Sequence, residues 1–124
     1  MEAKINGRKP ERVILHYGWD KNLKNNKYYK AHPFLSNEAG QYLMDIGVRL
    51  IALDAPMPDS PKNGKGTEND SPIHHIVLGA GAILVEYVVN IGEISKEEVE
   101  LIVLPMKIKD GDGSPVRAIA IERD

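Results

Sequence analysis

The chain has 124 residues, room for a single domain over 1–124 built round one core. Its balance of apolar and charged residues is that of an ordinary soluble globular protein, and a formal net charge of −2 gives no electrostatic footprint for nucleic acid or anionic lipid. The lack of cysteine excludes disulfides, thiolate nucleophiles and Cys-based zinc sites, so any metal must be held by His and carboxylate. The opening MEAKINGRKPER has no apolar stretch, and no run approaches the ~20 residues of a membrane helix, so the expectation is a cytoplasmic protein.

In chain order, ERVILHYGW (Glu11–Trp19) is a run of β-formers entered after Pro10 and ended at Gly18, and reads as a strand. DKNLKNNKYYKAHP reads as a surface loop anchored by Tyr28 and Tyr29. SNEAGQYLMDIG has an N-cap candidate at Ser36, an acid in the first turn at Glu38, Ala39, Leu43 and Ile46 along one face and a stop at Gly47, which predicts an amphipathic helix. VRLIALDA (Val48–Ala55) is the near-continuous apolar pattern of a strand buried on both faces, with Asp54 at its end. A long irregular loop rich in Pro, Gly, Asn and Asp follows. Ser71 and Pro72 then form an N-cap and N1 pair for a short helix, IHHIVLGAG. AILVEYVVN and ELIVLPMKI read as strands, SKEEV as a turn or short helix between them, and VRAIAIER as a last strand entered through a tight Gly-Asp-Gly turn. Helices and strands alternate early and strands follow one another late, the pattern of a mixed α/β domain.

Two glycine motifs offer no chemistry. GAG (Gly79–Gly81) lies between helix and strand, the reverse of the dinucleotide-binding order, and DGDGS (Asp110–Ser114) lacks the glycine and the terminal glutamate of a calcium loop. Glu86 is the unusual residue, a carboxylate inside an apolar strand, on the face of Leu84 and Val88. An unpaired carboxylate on a buried face is costly. Its face is therefore exposed, or it pairs with a base such as Arg49 or Arg117, or it binds a metal. His74 and His75 bear on the third case. Neighbours on a helix diverge by roughly 100°, so only one of the two can share a site with Glu86. The spacing leaves open which.

The stretches VILHYGW, HPFLSNEAGQYLMDIGVRLIALDAPMPD, HHIVLGAGAILVEYVVNIGEI and ELIVLPMKIKDGDGSPVRAIAI together resemble, in order and spacing, the C-terminal half of the cyclase family of metal-dependent hydrolases, to which kynurenine formamidase and isatin hydrolase belong. The resemblance implies an α/β fold, a mixed sheet with curved or barrel-like β-structure and flanking helices. It also implies hydrolysis of small amides or formamides with bound zinc or manganese. The family's second metal takes a His and a Glu twelve residues apart, which implies His74 and Glu86 as the metal pair and leaves His75 to pack or meet solvent.

One departure is large. The family's main motif, His-x-Gly-Thr-His-x-Asp-x-Pro-x-His, has no counterpart here; His16 and His32 stand alone, so the ligand set is incomplete and no catalytic residue is assigned. The expectation is a partial hydrolase, inactive by itself unless a separate chain supplies the missing motif. The alternatives are a non-catalytic, self-associating interaction protein derived from the family and a small-molecule binding module. Apolar strands such as VRLIALDA and ELIVLPMKI, with one clear amphipathic helix to cover them, predict a homo-oligomer, most simply a dimer.

Overall fold

The structure is a computed structural model that describes residues 9–124. Two compact units meet at the Ile91–Gly92 boundary. In the first, strands β1 (Arg12–Leu15), β2 (Leu50–Leu53) and β3 (Ile83–Val85) form a parallel sheet in that order, with Val13, Ile51 and Leu84 in register. Parallel neighbours need long crossovers. Helix α2 (Asn37–Asp45) lies in the first crossover and α3 (Pro72–Gly79) in the second, while a single helical turn, α1 (Lys27–Lys30), precedes them.

Each element has a local cause. The Ser36 side chain accepts a bond from Ala39 N at 3.2 Å, and Gly47, at φ +96°, lets the chain leave α2 in a left-handed conformation. Gly40 brings α2 close to α3, because a Cβ there would meet Ile73 Cδ1 at 3.2 Å. The uninterrupted apolar run of β2 fits its central place: Ile51 and Leu53 are fully buried, packed with Leu43, Val48, Ile73 and Val77. Ile51→Ala is expected to cost about 2–5 kcal/mol, seen as a lower denaturation midpoint at unchanged slope.

Several expectations change in detail. The first strand stops at Leu15, and the polar segment after it is partly helical, with a 3-10 turn at Asp20–Asn22 and α1. Of the two tyrosines, Tyr28 is buried and Tyr29 exposed. VRLIALDA brings no surplus apolar surface, since the chain itself covers it.

In the second unit, β4 (Glu100–Pro105) and β5 (Val116–Ile121) form a two-stranded antiparallel ribbon, Ile102 opposite Ile119. Arg123 Nε donates to Glu100 at 2.8 Å, and the Glu122 carboxylate accepts from the backbone of Ser95 and Lys96. The connection runs over 106–115, so the tight Gly-Asp-Gly turn is corrected to a longer loop in which Asp110 holds a positive φ of 56°. Leu104 and Met106 stay exposed. The strands do not join in one mixed sheet: β4 and β5 pair only with each other, β1, β2 and β3 form an all-parallel sheet of their own, and no barrel closes among the described residues. Nor is any described helix long and apolar enough to cross a membrane.

Candidate functional site

Parallel strands bring their C-terminal ends to one edge, where α/β sheets usually bind ligands. At that edge β2 runs into Asp54 and β3 into Glu86. Glu86 is the first residue past β3 and not an interior strand residue, because the ladder breaks where Tyr87 takes a positive φ of 59°. Tyr87 N then donates to Ala55 O at 3.1 Å and Val88 N to Leu53 O at 3.0 Å, which ties the segment after Glu86 to the end of β2.

The start of α3 is organised differently from its expected cap. Ser71 sits at φ +47° and makes no capping bond with its side chain; its hydroxyl donates to Asp70 Oδ1 at 2.6 Å. The cap comes from Asp59, a fully buried carboxylate in the long loop, which accepts from Ile73 N at 2.6 Å and His74 N at 3.3 Å. A negative group is well placed there, against unpaired amides and the positive end of the helix dipole.

The same Asp59 carboxylate reaches the His74 ring, with Oδ2 lying 2.5 Å from Nδ1. On the other side of the ring, His74 Nε2 is 3.3 Å from Glu86 Oε1. That oxygen is buried and has no aligned hydrogen bond. Between two carboxylates the imidazolium is favoured, and the His74 pKa is raised to about 9, chiefly by Glu86 and further by Asp59, against the opposing effect of partial burial.

His75 points into solvent, as the divergence of helix neighbours requires. The Arg49 guanidinium is engaged elsewhere, donating to Ala80 O at 3.0 Å, and Arg117 belongs to β5. His16 is exposed, and His32 is buried with Nδ1 3.1 Å from Pro33 O. Asp59 is the site residue that sequence reasoning missed. Its only signal is an acid isolated among prolines in PMPDSP, fifteen residues before the histidine it serves.

A second buried carboxylate, Asp54, supports the same edge. Its two oxygens accept from Tyr17 N and Trp19 N, each at 3.0 Å, and its carbonyl from the Tyr28 hydroxyl at 3.3 Å. Trp19 Nε1 donates to Tyr28 O at 3.0 Å, and Tyr28, Tyr29 and Tyr87 form an aromatic cluster with centroids 5.2–6.4 Å apart.

His74 Nε2 and Glu86 Oε1 are suitable donors for zinc or manganese: an imidazole anchored through its other nitrogen faces a buried carboxylate oxygen left without a hydrogen bond. They are two donors, and no group of three or more His, Cys, Asp or Glu side chains placed to hold a metal occurs among the described residues.

Residues 1–60 match the family described as "Putative cyclase". The chain is 35% identical over 96 residues to a kynurenine formamidase of Bacillus cereus (77% of this chain, 43% of the relative) and 36% identical over 109 residues to that of Bacillus cytotoxicus (88% and 48%). It thus spans about half the length of the curated relatives it matches. Among solved structures, an isatin hydrolase bound to the product analogue thioisatinate superposes with a TM-score of 0.76 at 23% identity, covering 88% of this chain and 44% of that one. A predicted metal-dependent hydrolase from Bacillus stearothermophilus gives 0.60 at 18% identity, covering 89% and 61%. Sequence kinship with the formamidases and a shared fold with isatin hydrolase agree: the chain belongs to the cyclase family, of whose members it represents one part.

Proposed function

We propose that this chain carries the second-metal pair, His74 and Glu86, of a cyclase-family hydrolase acting on small amides or formamides. The observation that carries the proposal is the 3.3 Å approach of His74 Nε2 to a buried Glu86 oxygen without a hydrogen bond. Two comparisons support it: the formamidase names of the sequence relatives and the description of a structural neighbour as a metal-dependent hydrolase. Zinc or manganese at the pair would supply Lewis acidity toward an amide carbonyl. The chain's own part is to hold the His74 ring through Asp59, release its Nε2 proton to solvent on loading and present the Glu86 carboxylate. The cytoplasm is the proposed compartment.

A hydrolytic metal takes about three protein ligands and an open position for water. Two donors fall short of that, so the proposal includes a separate chain or segment that supplies the remaining ligands and the base. Purified protein given zinc or manganese is expected not to turn over a formanilide substrate. Turnover that vanishes in His74→Ala would show the chain to be self-sufficient and this part of the proposal to be wrong.

The apolar side chains left exposed on the β4–β5 ribbon, Leu104 and Ile119, and at the start of its connecting loop, Met106, favour a second reading, a self-associating protein without hydrolase activity. Isolated two-stranded ribbons are marginal in water, and apolar area taken out of solvent returns about 25 cal/mol per Å² before association costs. A homodimer is the expected state. Light scattering should give twice the chain mass of 13.8 kDa; a monomer mass that persists as concentration rises would exclude it.

A further inference from the structure

We infer that Asp59 is a positioning residue for His74: it fixes the ring orientation and places the ring proton of neutral His74 on Nδ1, which leaves the Nε2 lone pair directed at Glu86. The geometry assigns both oxygens. Asp59 Oδ1 takes the Ile73 amide at 2.6 Å, and Oδ2 lies 2.5 Å from His74 Nδ1 and 3.3 Å from His74 N. Asp59 is fully buried, so no water replaces these bonds. A carboxylate only accepts, and the nitrogen facing it must carry the proton. Cap and ring are thereby coupled, since the group that starts α3 also sets the angle at which its third residue, His74, presents Nε2. Carboxylates that hold a ligand histidine in this way typically alter metal affinity 10–100-fold when replaced.

Asp59→Asn separates this role from simple capping. Asparagine caps helices about as well as aspartate, so a cap alone would survive. With its oxygen on Ile73 N, however, the amide turns its NH2 toward Nδ1, and two donors then face each other. His74 must move its proton to Nε2, toward Glu86, where it blocks a metal.

The test is a long-range 1H–15N spectrum of the histidine rings in the metal-free full-length chain, in alkaline solution where His74 is neutral, with His74→Gln to assign the signal. The expected result is an Nδ1–H tautomer in the parent chain and an Nε2–H tautomer in Asp59→Asn, with far-UV circular dichroism unchanged. An Nε2–H tautomer in the parent chain overturns the inference even if the variant does not fold, and so does an unaltered tautomer in a folded variant. The consequence for metal rests on His74 and Glu86 being ligands: zinc affinity, by competition with a chelator, should fall about 10–100-fold in Asp59→Asn. Zinc binding that His74→Gln leaves unchanged would end that reading of the pair, while the tautomer would still decide the role of Asp59.

Discussion

Replacing Asp54 with alanine is expected to lower the stability of the chain by about 2–4 kcal/mol. The side chain is fully buried, and its two oxygens satisfy the Tyr17 and Trp19 amides across a sequence gap of more than thirty residues. Alanine leaves both donors without a partner, and each unpaired, partly buried donor costs about 1–3 kcal/mol. The loss extends past the two bonds, because the Tyr17–Trp19 turn holds the exit of β1 against the end of β2, and the Trp19 ring is itself bonded to Tyr28 O. Asp54→Asn keeps one acceptor and should lose roughly half as much. Urea denaturation of the three proteins checks both values; a loss below about 0.5 kcal/mol for alanine would mean that water replaces the carboxylate and that the turn is held by packing alone.

The second large effect concerns His74 and pH. With its pKa raised to about 9, chiefly by Glu86, the metal-free ring is protonated at neutral pH, and a metal must displace that proton from Nε2. Apparent zinc affinity should therefore rise about tenfold per pH unit from 7 towards 9 and level off above, the slope expected for one released proton. Linkage has the opposite sign for the metal-free fold. A histidine whose pKa is raised on folding contributes stability that is fully present below about 6.5, its unfolded value, and is lost as pH climbs through about 9. Thermal melts without metal should thus fall from pH 7 to 10 in the parent chain more than in His74→Gln. Calorimetric zinc titrations across the same range check the affinity. A pH-independent affinity, or equal melting trends in both proteins, would show that His74 is not held between two carboxylates in solution.

Legibility differed sharply between neighbouring elements. Helix α2 could be read because its signals are local: Ser36 caps it, Glu38 sits in its first turn and Gly47 ends it, all within twelve residues. The burial of β2 followed from its unbroken apolar run. The ends of β1 and β3 could not be read so well, since apolar residues continue past the last paired position and the break at Tyr87 is a backbone conformation that no residue type announces. The antiparallel ribbon was visible as two strands, yet nothing local told β4 to pair only with β5 and stay out of the parallel sheet. At the site, residue chemistry left Glu86 open among three explanations, and the choice of His74 over His75 came from the family spacing. Asp59 was out of reach because Ser71 and Pro72 form a sufficient local start for α3, whereas the actual cap arrives from a loop fourteen residues upstream of the Ile73 amide.

The claim that His74 and Glu86 form a metal pair is tested most directly by anomalous diffraction at the zinc edge from crystals grown with zinc. The account predicts a peak at about 2.0–2.2 Å from both His74 Nε2 and a Glu86 carboxylate oxygen, with Asp59 still bonded to Nδ1. Zinc bound only at exposed His16 or His75, with His74 and Glu86 still in direct contact, would contradict it.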